Sequence, residues 1–406
     1  MKWQRIVFSQ LYLEPSRNGI YKSQENHGTG IKIINMGELF GYDFIADQPM
    51  KRISMTDSEI DRFCLQNGDL LFGRRSLVES GAGKCSLIDN LIEKTTFESS
   101  IIRVRLDSNL ALPKFYYYWF KSLRGSGAIR AIVTGTNVKG IKGSDLKNIT
   151  VDYPSIITQQ KIADILSKYD DLIENNRRRI ELLERSARLL YKEWFVRLRF
   201  PGHEHTPIID GIPEGWEKGQ VSDFYKTASG GTPSRKNPDF FTGDINWVKT
   251  QELNNSFIFK TDEKITEEAI KNSSAKIFPA HTVLVAMYGA TIGQTAILAN
   301  SATTNQACCG LLPDCHIANY IHCFLFFREN KQILANLSLG AAQNNISQEI
   351  IRNFPMLLPS KKVMDIFWEF TNRIFEQIKI LEQQNQKLKQ ARDILLPKLM
   401  NGEIEV

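Results

Sequence analysis

Between Thr158 and Val196 apolar residues return at the same two places in every seven, over about 39 residues that include no Gly or Pro. Leu166, Ile173, Ile180, Ala187 and Trp194 form one row. Ile162, Tyr169, Leu183 and Leu190 form the other, with Asn176 as its polar member. This pattern predicts a helix packed along a second helix, roughly 60 Å long at about 1.5 Å per residue. The partner is at the far end of the chain. From Val363 to Met400 the phase recurs in Phe367, Ile374, Leu381, Leu388 and Leu395, with Val363, Phe370 and Ala391 in the companion row. Gln377 stands where Asn176 stands in the first helix, so both are expected to face the seam and fix its register.

A block of short strands and modest helices precedes each long helix. In the first block, strands are expected at Ile31–Ile34, Asp69–Phe72, Cys85–Ile88, Ile101–Leu106 and Ile149–Tyr153. A helix opens at Pro113 with aromatics on several sides, and a Gly-rich loop spans Gly135–Gly143. The same order returns after Trp216. Ile245–Val248 answers Ile31–Ile34, Thr282–Met287 answers Asp69–Arg74, Asn319–Glu329 answers the aromatic helix, and Gly340–Pro355 answers Gly135–Thr150. A repeat of about 205 residues is a duplicated module and not a solenoid unit. The chain therefore divides into blocks at 1–154 and 216–358, helical spacers at 155–200 and 359–406, and a linker at 201–215.

Composition narrows the class. The 406 residues are 42% hydrophobic and 24% charged, enough for two or more cores. A net charge of +6 and a pI near 8.8 suit a nucleic-acid surface without demanding one. No apolar run approaches a membrane span and the N-terminus lacks a signal-peptide layout, so a cytoplasmic location with no membrane contact is expected. The six cysteines have no CxxC spacing; reduced thiols and no metal site are expected. Asn237-Pro238-Asp239-Phe240 misses an amino-methyltransferase signature at Asp239. Gly81-Ala82-Gly83-Lys84 is followed by Cys85, and the first glycine of a phosphate-binding loop would fall at Val78, so it is no such loop.

Several segments carry a specific resemblance: GGTPSRKNPDFFTGDINWVKTQELNN at Gly230–Asn255, TTNQA at Thr303–Ala307, PEGW at Pro213–Trp216, QQKIADIL at Gln159–Leu166 and ARDILLPKLMNGEI at Ala391–Ile404. In these the chain resembles, over essentially its whole length, the specificity subunits of type I restriction–modification systems. The first block matches less closely, with NGIYKSQENHGTG where a GGTPSR string would stand. The resemblance implies an α+β chain: two α/β target-recognition domains in pseudo-two-fold arrangement, separated by a pair of long antiparallel coiled-coil helices. It implies a DNA-reading subunit without a catalytic centre, each domain reading half of an asymmetric bipartite site in double-stranded DNA. Two modification subunits would bind the helices and carry S-adenosylmethionine. Restriction subunits with ATP- and Mg-dependent motor and nuclease activities would join them, and the chain itself would bind no cofactor. Half-sites read from one face of DNA lie about 34–36 Å apart, a span that stiff helices hold better than a flexible linker. Adding or removing a helical turn is expected to alter the gap and leave the half-sites unchanged.

Candidate DNA contacts follow from residue type. Thr232, Ser234, Arg235 and Lys236 lie on a tight loop and suit phosphates or base edges; a solvated turn is the plainer alternative. Gln343, Asn344 and Asn345 could read adenine or serve as helix caps. In the first block the corresponding loop offers Thr136, Asn137, Lys139 and Lys142, the lysines as phosphate neutralisers, and Arg74, Arg75 and Lys84 flank the turn Ser80–Lys84. Arg177–Arg179 read as a solvated face or part of the surface that meets the modification subunits, with a contact to the DNA spacer backbone as the less favoured alternative. Two other classes remain open on the residues alone: a self-contained methyltransferase or nuclease with embedded recognition domains, and a coiled-coil scaffold without a DNA role.

Overall fold

The computed structural model describes residues 3–77, 81–338 and 345–406. The chain forms two compact units, residues 1–173 with 386–406 and residues 174–385, so the division falls inside both long helices and not at their ends.

The two units repeat one topology. In the first, a five-stranded sheet runs in the order Tyr12–Asn18, Ile101–Leu106, Leu70–Gly73, Cys85–Ile88 and Phe44–Ile45, antiparallel except for the last pair. A three-stranded sheet sets His27–Ile34 between Lys51–Ile53 and Thr95–Phe97, and Gln4–Val7 pairs with Thr150–Tyr153. In the second unit the five strands are Tyr225–Ser229, Cys308–Pro313, Val283–Ala286, Thr295–Leu298 and Phe257–Ile258, again with a parallel last pair. Ile245–Val248 lies between Lys264–Ile265 and Thr303–Thr304, and Glu217–Gln220 pairs with Pro355–Leu358. In these ten strands of each unit the duplication expected from strand order is present in order and in pairing.

Aromatic helices cover the large sheets. Pro113 starts the helix Pro113–Lys121, where its missing N–H costs nothing, and Phe115 through Phe120 are all buried. The chain breaks at Ser122, whose hydroxyl accepts from Gly125 N and starts a second helix, Leu123–Ile132, which the sequence pattern does not indicate. In the second unit Asn319 caps Tyr320–Glu329, and every residue from Tyr320 to Phe327 is buried.

The central helix runs from Ile156 to Tyr191 and widens into a π-helical turn at Lys192–Val196; the C-terminal helix spans Lys361–Met400. In the first unit the central helix is anchored by Gln159, fully buried, whose Oε1 accepts from Leu112 N (2.8 Å) and whose Nε2 donates to Pro154 O (3.0 Å). Ile162, Ala163 and Leu166 share a core with Leu399 and Met400, and Asp170 accepts from Tyr118 Oη (2.6 Å) while pairing with Arg392. In the second unit Trp194 and Phe195 pack on Phe367, with ring centroids 5.8 and 4.7 Å apart, and Asn176 Nδ2 donates to Asn385 Oδ1 at 3.0 Å. These contacts run the helices antiparallel within each unit.

The seam of the C-terminal helix departs from the heptad reading at two places. Phe370 is 57% exposed, and Gln377 is exposed, while Thr371, Phe375 and Ile378 are buried. A helix that packs on a globular domain as well as on another helix buries a broad stripe advancing by 3.6 residues, so the 3.5-residue row drifts out of it. Asn176 thus meets Asn385 and not Gln377. Beside this stripe Glu382 accepts a hydrogen bond from Ser256 Oγ, its second oxygen is buried without a partner among the described residues, and burial pushes its carboxyl up to about 7.

Two outcomes are expected. Asn176→Leu, which strands the Asn385 amide, should cost about 1–3 kcal/mol in chemical denaturation, and Asn176→Leu with Asn385→Leu should recover most of it; equal midpoints for both variants would remove the pair's role in register. For Glu382, a raised carboxyl favours the protonated fold, so its contribution is full below about 4.5 and is lost as pH rises through about 7. Glu382→Gln should therefore raise stability at pH 8 by something on the order of 3 kcal/mol and leave it unchanged at pH 4; a thermal shift of the same size at both pH values would contradict this.

Candidate nucleic-acid interface

Four loops converge in each unit on one frame of backbone hydrogen bonds. In the first unit Ile20 N donates to Phe97 O (2.9 Å), Glu98 N to Ile34 O (3.0 Å), Arg74 N to Ser100 O (2.7 Å) and Ile141 N to Arg74 O (3.0 Å). The second unit repeats them: Gly231 N to Thr304 O (2.9 Å), Asn305 N to Val248 O (2.9 Å), Met287 N to Ala307 O (2.9 Å) and Ile346 N to Met287 O (2.9 Å). Tyr21 therefore occupies the place of Thr232, Ser99 that of Gln306, Arg75 that of Tyr288, and Gly140 that of Asn345.

In the second unit Gly230 and Gly231 let the chain pass against its neighbours. A Cβ on Gly230 would lie 2.2 Å from Thr304 O, and one on Gly231 2.3 Å from the Ser274 carbonyl carbon. Trp247 Nε1 donates to Gly231 O at 3.0 Å and closes the passage. Beyond it Thr232, Ser234, Arg235 and Lys236 are all exposed. The Thr232 hydroxyl donates to Gln306 Oε1, tying this loop to the TTNQA segment. Arg235 lies over Phe241 (4.1 Å) and Trp247 (5.3 Å) and pairs with Glu263 at 2.6 Å. Arg235 and then Lys249, at 2.9 Å, hold the Glu263 carboxyl below its usual range. Asn237 caps the turn Pro238–Phe241 through its side chain, a local structural use of the near-miss methyltransferase string. Asn345 bridges to Tyr288, which is 43% exposed. Gln343 and Asn344 lie outside the described residues.

In the first unit Arg75–Ser76 pairs antiparallel with Lys139–Gly140, which brings Arg74, Arg75 and Lys139 onto one short ribbon. Arg74 Nη1 donates to Ser99 O at 3.2 Å. Asn137 is exposed in the preceding loop, and Lys142, also exposed, precedes the helical turn Gly143–Leu146. Lys84 turns elsewhere: its Nζ donates to Phe40 O (2.6 Å) and lies 3.8 Å from Asp43, so its side chain is committed to the end of the short helix Met36–Gly41. On the central helix Arg177 and Arg178 pair with Glu174 at 2.8 and 2.9 Å and stay exposed. Among the described residues no cluster of His, Cys, Asp and Glu could hold a metal ion, and the six cysteines are free.

Gln306, Tyr288, Tyr21 and Ser99 were not singled out in the sequence. The TTNQA string was the signal for Gln306; the others follow only from the shared frame.

The sequence profile described as the type I restriction modification DNA specificity domain matches the chain twice, at residues 16–185 and 213–390. The chain is 29% identical over 303 residues to the type I restriction enzyme MjaIX specificity subunit of Methanocaldococcus jannaschii, covering 72% of this chain and 69% of that protein. It is 23% identical to the HindI specificity subunit of Haemophilus influenzae, covering 96% and 97%. In fold it is similar to the crystal structure of the type I S subunit from M. genitalium, with a TM-score of 0.62, 15% identity, and coverage of 98% and 96%.

The passage at Gly231 should be intolerant and the side chain after it tolerant. Gly231→Ala is expected to lower stability by about 1–3 kcal/mol and Thr232→Ala by less than about 0.5 kcal/mol. Coincident thermal unfolding of the two variants would show that the loop is not pressed against Ser274.

Proposed function

The chain belongs to the type I restriction–modification DNA specificity family, and from that premise we propose that it reads a bipartite, asymmetric site in duplex DNA, one half-site per domain. Catalysis in type I systems is carried by separate subunits, and this chain is the DNA sequence-recognition subunit. It directs adenine methylation and restriction by partners that bring S-adenosylmethionine, ATP and Mg, and it holds no cofactor itself. The observation that best supports the two-reader reading is the duplicated loop frame. Equivalent backbone positions display different side chains in the two units, Arg75 against Tyr288 and Gly140 against Asn345, so two like frames present two different surfaces to DNA.

Leu182, Leu189 and Val196 recur at heptad intervals and are 64, 51 and 63% exposed. This row lies outside the seam and supports docking of modification subunits, two per chain as the duplication suggests. Among the described residues no helix is long and apolar enough to cross a membrane.

The test is a single-molecule methylation map of a methylation-free host expressing this chain with its modification subunit, beside a host lacking this chain. Methylated adenines in a split motif with a fixed gap, seen only with the chain, are expected. A contiguous motif, or methylation independent of the chain, would sink the reading.

A further inference from the structure

The two loop frames match in backbone but not in charge. On the first unit's frame Arg74, Arg75, Lys139 and Lys142 have no ion-pair partner among the described residues, and Arg75 and Lys142 are exposed. Arg75 faces Gly140 and Lys139 faces Ser76 across the ribbon, so the two side chains leave it on opposite faces. Ser76 is buried, so Arg75 stands on the open face and Lys139 is half-buried on the other; cations so placed suit duplex phosphates. On the second unit's frame the exposed Arg235 is held by Glu263 and two aromatic rings, leaving Lys236 as the cation of that loop with no ion-pair partner among the described residues. What this loop presents instead are neutral groups, Thr232 and Gln306, joined by their hydrogen bond. With Oε1 engaged by Thr232, both hydrogens of the Gln306 amide remain to be donated, and a phosphate oxygen, which only accepts, is their complement.

From this contrast we infer that the two domains grip DNA by different physics. The first holds its half-site's phosphates through cations and counterion release; the second holds its phosphates through the neutral Gln306 amide, which Thr232 orients. The inference rests on the proposed DNA-reading function and adds to it which domain carries the salt sensitivity. Each cation–phosphate contact contributes about 0.9 to the slope of log affinity against log salt, whereas a neutral donor contributes to affinity and not to slope.

The experiment uses the complex of this chain with its modification subunit. Binding is measured by fluorescence anisotropy from low to moderate salt, on the duplex identified by methylation mapping and on an unrelated duplex of equal length. Arg75→Gln and Lys139→Gln should each lower the slope by about one. Thr232→Val with Gln306→Leu should weaken binding about tenfold at every salt concentration, leave the slope unchanged, and leave the methylated motif unchanged. Thermal unfolding of each complex confirms that these surface substitutions fold. An unaltered slope for Arg75→Gln and Lys139→Gln, or a slope loss for Thr232→Val with Gln306→Leu, would overturn the inference. A changed base preference in the Gln306 variant would overturn the phosphate assignment in favour of base reading. Failure of the unmodified complex to prefer the mapped duplex would instead strike the proposed function.

Discussion

A long helix with a broad apolar stripe cannot be satisfied by a single neighbour, and that constraint arranges the rest of this chain. The helices Ile156–Tyr191 and Lys361–Met400 bury different parts of their length in different units, each time against a domain as well as against one another. An apolar stripe alone tolerates sliding by a heptad. The polar pairs do not: Asp170 with Arg392 and Tyr118 in one unit, and Asn176 with Asn385 in the other, would be left buried and unpaired by any slip. Apolar packing supplies the association, and these few polar contacts select one register.

Much of this was legible in the sequence because the signals are local. Heptad rows show their phase without a partner, and strands such as Cys85–Ile88, Ile101–Leu106 and Ile245–Val248 lie where their apolar runs place them. The misreadings share one cause, an influence from residues distant in sequence. Phe370 and Gln377 leave the seam because a domain packs on that helix and imposes the 3.6-residue period. Arg235 reads as a free cation until Glu263 and Trp247 are brought beside it. Lys84 reads as part of a basic turn until Phe40 O captures it. The equivalence of Tyr21 with Thr232 was hidden because the loops differ in length. No single offset aligns Gly19 with Gly230, Arg74 with Met287 and Gly140 with Asn345 at once.

The duplicated frame separates two tasks that a recognition surface must perform together. Backbone hydrogen bonds, with Gly230 and Gly231 pressed against Thr304 and Ser274, fix where the loops stand. Side chains beyond that frame are then free to differ without moving it. Rigid presentation matters physically, because a contact made by a preformed loop loses little conformational entropy on binding. The chain holds its variable groups on an invariant support, once in each unit.

The continuity of the central helix gives the spacer a granularity. One added residue lengthens a helix by about 1.5 Å and turns all that follows by about 100°, which would carry Ala187, Tyr191 and Trp194 off their buried face. A whole heptad restores the face to within about 20° and adds about 10.5 Å, close to the rise of three base pairs at about 3.4 Å each. The length of such a spacer is therefore not a continuous variable. It advances in steps set by helix geometry, and those steps happen to be nearly commensurate with the base-pair ladder.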